Sequence, residues 1–201
     1  LRFKGRCYRG HDPAWSFSPL SGEGAAIRGG RFNRKGEPAL YLSLDVITAV
    51  GECTQGLTQR LQPLTMCEYD VDCEDIADLR ATSGRSRHRV KLADVACPWL
   101  TFQLAGKEAP SWKVADRLQA AGHAGIIVPS FVPGAAPASS NLILWTWSSD
   151  PPHRVQVFDP SGRLPKNQLS WAYDRALDEE IDRALGKDIP PEMLDLLGKL
   201  D

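Results

Sequence analysis

Residues 10–38 restrict this chain more than any other stretch, because Gly22, Gly24, Gly29, Gly30 and Gly36 are interleaved there with Pro13, Pro19 and Pro38. Glycine loses too much backbone entropy, and proline lacks the N–H and clashes with the preceding turn, for a helix or a long strand to run through such a segment. A long structured loop is the expectation, and loops of that length inside a compact domain tend to carry function. Whatever regular structure the chain forms must be arranged around it.

Directly after the loop, Ala39-Leu40-Tyr41-Leu42-Ser43 reads as a short strand, and Ser43 stands where it can cap a helix over 44–57. Residues 64–71 (LTMCEYDV) alternate as a strand does, whereas 80–91 (RATSGRSRHRVK) are polar and basic and read as a loop. Ser111 opens a second helix with Val114, Ala115, Leu118 and Ala121 on one face and Gly122 to end it. Three β-rich runs follow at 125–129 (GIIVP), 141–147 (NLILWTW) and 154–158 (RVQVF), and they read as core strands of one sheet. After Asp159-Pro160-Ser161-Gly162 the composition changes, and 169–185 and 190–197 read as amphipathic helices that Trp171 and Tyr173 dock onto the body. The expected organisation is an α+β domain over 1–165 with a C-terminal helical extension over 166–201.

Charge narrows the partners. With 24 Lys and Arg against 25 Asp and Glu, the net charge is −1 and there is no overall positive field to neutralise a phosphate backbone, so nucleic acid is not expected as a direct partner. The run Arg85, Arg87, His88, Arg89 and Lys91 reads as solvated, or as a patch for an acidic surface. Cys7, Cys53, Cys67, Cys73 and Cys97 contain no Cys-x-x-Cys pair and read as reduced thiols, and with His11, His88, His123 and His153 scattered, no metal is expected. The basic N-terminus is not followed by the apolar run of a signal peptide and no segment is long enough to cross a bilayer, so the expected location is the cytoplasm.

The chemistry-bearing residues begin in the loop. The glycines of 22–31 (GEGAAIRGGR) would let backbone N–H groups approach a pyrophosphate, yet no buried strand precedes them and no helix opens directly after, so neither a Walker nor a Rossmann motif is present. Arg9, Arg28, Arg31 and Arg34 bracket the stretch, and guanidinium groups fork onto phosphate oxygens; Arg28 and Arg34 fit a solvated surface equally well. On a wheel of about 100° per residue, Val46, Ile47, Ala49, Val50, Cys53, Thr54 and Leu57 form one broad face, and Glu52 falls about 60° beyond its edge. Periodicity alone therefore leaves Glu52 between a solvated glutamate and a functional carboxylate. Tyr41 is either a half-buried strand residue or a stacking platform. Ser130 and Asn141 are either turn and strand residues or hydrogen-bonding groups for a ligand, and no Ser-His-Asp spacing makes Ser130 a nucleophile.

Taken in order, Tyr8-Arg9, Gly29-Gly30-Arg31-Phe32-Asn33 with Gly36, Ala39-Leu40-Tyr41-Leu42-Ser43, Glu52, Val128-Pro129-Ser130 and Asn141-Leu142 form a series that resembles the RES family. That family is named for its Arg, Glu and Ser, and its members are toxins of bacterial toxin–antitoxin pairs; the resemblance covers about 6–165. It implies a fold similar to diphtheria-toxin-like ADP-ribosyltransferases, a mixed, largely antiparallel β core with surrounding helices, and NAD as the substrate. The family's Arg falls on Arg31, its Glu on Glu52 and its Ser on Ser130, while its accompanying Arg and Tyr fall on Arg9 and Tyr41; Phe32 stands where many members have Trp.

The implied roles suit cleavage of the nicotinamide–ribose bond. Glu52 stabilises an oxocarbenium-like C1′, Arg31 and then Arg9 hold the pyrophosphate, Tyr41 stacks on nicotinamide, and Ser130 and Asn141 hydrogen-bond the dinucleotide. ADP-ribose would pass to water or inorganic phosphate, depleting NAD. One alternative is transfer to a particular protein acceptor. A remoter one is a non-catalytic binding module or an RNA-directed toxin, against which the near-neutral charge and the lack of a histidine acid/base pair both weigh. A cognate antitoxin that covers the cleft is the expected partner.

Overall fold

In the computed structural model, residues 1–54 and 62–167 are described. The expected helices at 169–185 and 190–197, and the end of the helix expected over 44–57, lie outside them.

The β-rich runs become strands as their composition predicts: β2 (Leu40–Ser43), β3 (Thr65–Cys73), β5 (Gly125–Pro129), β6 (Ser140–Leu144) and β7 (His153–Val157). Two more strands were not expected, β1 (Phe3–His11) and the short β4 (Ile76–Asp78). All seven form one sheet in the order β4-β5-β6-β2-β1-β3-β7, antiparallel except for the β4–β5 pair. A mixed α+β domain with a mostly antiparallel core is therefore the observed class.

Each face of the sheet has its own core. On one, Cys7, Leu40, Leu42, Tyr69, Leu142 and Leu144 are buried, with Leu20, Trp147 and Leu164 packed over them. On the other, Tyr41, Ile126, Val128 and Ile143 meet Phe32 and the apolar sides of α4 (Leu92–Val95) and α6 (Pro110–Ala120), the latter through Val114, Ala115 and Leu118. Ala121, expected on that same face, is exposed one residue past the helix. Helix α2 (Val46–Thr54) lies against β1 and β2.

Three local expectations need correction. Within 10–38 the chain forms a 3-10 turn (Pro13–Trp15), in which the Ala14 N–H donates to Asp12 Oδ1 at 2.9 Å, and the six-residue α1 (Glu23–Arg28), which Gly29 ends at φ +74°. The basic run is not a loop but includes α3 (Thr82–Arg87). Gly84 permits this, since a Cβ there would meet the Asp78 carbonyl oxygen at 2.1 Å, and Arg85 Nη1 donates to the Leu79 carbonyl at 3.0 Å. Tertiary contact thus forms a helix that weak propensity does not predict. Finally, α2 is capped by Asp45 rather than Ser43: its carboxylate accepts from the Thr48 N–H at 2.8 Å and from the Thr48 hydroxyl at 2.6 Å. A short α5 (Trp99–Leu104) completes the helices among the described residues.

Candidate active site

Along the sheet, β1 and β3 share nine consecutive residue pairs, but β1 and β2 share only Tyr8 with Ser43. Beside this seam lies a cavity of about 180 Å³, lined by Arg9 and Gly10 from β1, Tyr41 and Ser43 from β2, Asn141 from β6 and Glu52 from α2. Gly10 allows the helix to come close, because a Cβ there would stand 2.4 Å from the Cys53 sulfur.

Glu52 is held at one oxygen. Its Oε1 accepts from the Ser130 hydroxyl at 2.7 Å and from Asn141 Nδ2 at 2.5 Å. Asn141 Oδ1 in turn accepts from the Ser43 hydroxyl at 2.8 Å. Oε2 has no hydrogen bond among the described residues, so one side of the carboxylate is anchored and the other is available to a ligand. The wheel misjudged this helix: Val46 and Ile47 are exposed, at 42% and 80%, while Thr48 and Ala49 are buried. Thr48 can be buried because Asp45 satisfies its hydroxyl. The inward arc therefore runs through 48, 49 and 52, carrying Glu52 to the cavity.

Tyr41 is fixed through its hydroxyl, which donates to Asn33 Oδ1 at 2.7 Å and accepts from the Phe32 N–H at 3.0 Å. Burial pushes its acidity down and keeps it a neutral phenol. Asn33 is 2% exposed, and its Nδ2 also donates to the carbonyls of Ala25, Arg34 and Glu37 at 2.8 to 3.0 Å. Gly30 is needed beside this pair, since a Cβ would lie 2.5 Å from the Tyr41 hydroxyl. Two indoles hold the same loop: Trp112 Nε1 donates to the Gly30 carbonyl at 2.8 Å and Trp145 Nε1 to the Phe32 carbonyl at 2.9 Å.

Arg31 is not among the residues that line this cavity. Its Nη1 donates to the carbonyls of Val95 at 3.2 Å and Cys97 at 2.5 Å, and the guanidinium lies 4.6 Å from the centre of the Phe131 ring. Burial pulls its pKa down, while Cys97 and then Glu52 act in the opposite direction. Arg34 does something else. It pairs with Asp116 at 2.7 Å and with Glu108 at 2.5 Å on the outer surface, as the alternative to a phosphate role anticipated.

Arg9 is partly buried and its Nη1 donates to the Ser21 carbonyl at 3.0 Å. Next to it, the Tyr69 hydroxyl donates to the Pro19 carbonyl at 2.9 Å, so the 2.5 Å contact between His11 Nε2 and that hydroxyl has the imidazole N–H as donor. His11 is 6% exposed; burial first and the Arg9 charge second lower its pKa to about 4. Sequence reasoning missed Asn33, Ser43 and His11 as supports. None of the three carries a periodic signal of its own, because each acts by orienting a neighbour.

The arrangement offers an anchored carboxylate for a cation-like centre, a fixed aromatic ring, and two arginines that, among the described residues, each bond a backbone carbonyl through one nitrogen. Among the described residues no three His, Cys, Asp or Glu side chains converge as metal ligands, and no helix is long and apolar enough to cross a membrane.

Comparison with known proteins bears on this geometry. The model of the RES domain matches residues 6–167. Among solved structures, a chain of the crystal structure of the M. tuberculosis MbcT-MbcA toxin-antitoxin complex is similar in fold, with a TM-score of 0.52 and 19% identity over 79% of this chain and 84% of that one. No curated protein sequence matches.

Proposed function

The chain belongs to the RES domain family, and on that premise we propose that it is the toxin of a toxin–antitoxin pair, an enzyme that splits NAD at the nicotinamide–ribose bond. The observation that carries this reading is the Glu52 carboxylate in the seam, anchored at Oε1 by Ser130 and Asn141 and open at Oε2.

In the proposed reaction the C1′–nitrogen bond breaks with its electron pair passing to the positively charged pyridinium, which leaves as neutral nicotinamide. C1′ becomes oxocarbenium-like, and the fixed carboxylate stabilises that charge while Oε2 holds a ribose hydroxyl. An oxygen of water or inorganic phosphate then bonds to C1′, and water gives its proton to solvent. Arg31 and Arg9, through the nitrogens not bound to backbone carbonyls, hold the pyrophosphate and so turn binding energy into orientation. Tyr41 offers its ring to nicotinamide, its hydroxyl being already tied. Such an enzyme acts on the cytoplasmic NAD pool and needs a cognate antitoxin to cover the seam; the solved structure similar in fold belongs to a toxin-antitoxin complex.

The test is direct. Purified protein is incubated with NAD, and free nicotinamide is followed with and without phosphate while a cell lysate is probed for labelled ADP-ribose. Nicotinamide release without protein labelling is expected. Labelling of one protein would move the reading to a transferase, and no release under any condition would overturn it.

A further inference from the structure

We propose that Ser43 is a positioning residue for this site, acting on Glu52 through the side-chain amide of Asn141. The inference rests on the reading of Glu52 as the carboxylate that acts on NAD.

An asparagine amide has two ends of nearly equal shape and opposite hydrogen-bonding character, so its direction is set by its neighbours. Here Ser43 and Asn141 face each other across the β2–β6 ladder, and Ser43 is 4% exposed. The Ser43 hydroxyl gives its one proton to Asn141 Oδ1 at 2.8 Å. That leaves Nδ2 to face Glu52, and it donates to Oε1 at 2.5 Å. Were the amide turned over, Oδ1 would stand against Oε1, acceptor against acceptor, and the carboxylate would lose one of its two donors. The Glu52 carboxylate, which only accepts, sets the amide direction, and the Ser43 hydroxyl holds the far end of the amide so that Nδ2 stays on Oε1. Asp45 caps α2, which frees Ser43 for this use.

Removing the hydroxyl leaves Oδ1 without its donor in a buried place, so the amide is restrained at one end only and its hold on Glu52 loosens. In Ser43→Ala, kcat for nicotinamide release is expected to fall about tenfold, the rate equivalent of one hydrogen bond to a charged group, with KM changed less than about twofold. The decisive readout is a double-mutant cycle. If Ser43 acts through Asn141, Ser43→Ala added to Asn141→Ala costs nothing further, whereas a residue that only supports the fold contributes the same factor in both backgrounds. Ser43→Thr keeps the hydroxyl and should recover most of the lost rate. Ser43→Cys keeps the size with a poor donor, and should lose rate even if the alanine variant does not fold. Wild-type kcat in Ser43→Cys, or multiplicative loss in the cycle, would overturn the role of Ser43. Failure of the wild-type protein to release nicotinamide would instead overturn the reading beneath it.

Discussion

Strands β5 and β6 are buried on both faces, with Ile126 and Ile143 against one core and Ile127 and Leu142 against the other, whereas β1 and β3 bury one face and charge the other. On that second face Lys4, Arg6, Glu68 and Asp72 alternate with the core residues, joined by pairs such as Arg6–Glu68 at 3.4 Å and Lys4–Asp72 at 3.9 Å. One half of the sheet is thus a sandwiched layer and the other a one-sided platform. They meet between β2 and β1. There α2 lies over both strands, and the cavity with Glu52 stands beside their single registered pair.

The largest effect should come from chemistry at that boundary. Glu52→Gln keeps the size of the side chain and removes its charge, and nicotinamide release should fall by on the order of a thousandfold with little change in Tm. Retained activity would detach the seam from the proposed function. Within the sandwiched half, Ile143→Ala should cost about 2–5 kcal/mol in denaturant unfolding, because Ile143 is 1% exposed in close-packed surroundings. A much smaller loss would mean that this half is looser than its burial implies.

The buried face of the platform half should show itself in pH dependence. His11 titrates at about 4 when folded against a reference near 6.5, so between these values the unfolded chain binds the extra proton. Stability from this group is complete above about pH 6.5 and is lost as pH falls toward 4, by about 3 kcal/mol in all. His11→Asn should flatten that part of the stability curve; an unchanged slope would show that His11 is not buried neutral. The smallest effect belongs to the charged face, where Arg6→Ala should move Tm by no more than about 2 °C.

The same contrast explains what could be read in advance. Gly125-Ile126-Ile127-Val128 and Leu142-Ile143-Leu144 are continuous apolar runs, and a two-sided strand announces itself that way. Strand β1 does not, because Lys4, Arg6 and Arg9 are interspersed with Gly5 and Gly10, and its pattern resolves only once β3 is beside it. Helix α3 was hidden for a related reason, its contacts coming from Leu79 and Asp78 rather than from an apolar stripe. At the site, Tyr41, Glu52, Ser130 and Asn141 were legible only as an ordered series, and the structure joins the last three by hydrogen bonds. The supports Ser43, Asn33 and His11 were not legible, since a residue that orients another carries no periodicity of its own. Arg31 stands out in the sequence beside the loop glycines, but its anchors at Val95 and Cys97 lie more than sixty positions away and could not be read there.

The single pair between β1 and β2 has a mechanical meaning. Within either half, sliding one strand past another shears a ladder of several rungs at once, nine between β1 and β3 and five between β5 and β6. Across the seam the backbone ladder has one rung, Tyr8 with Ser43, and the remaining resistance comes from α2 lying over both strands and from the shared core of Cys7, Leu40 and Leu42. The middle of the sheet is therefore joined by side chains more than by backbone, with Glu52 and Tyr41 lining the cavity beside the join.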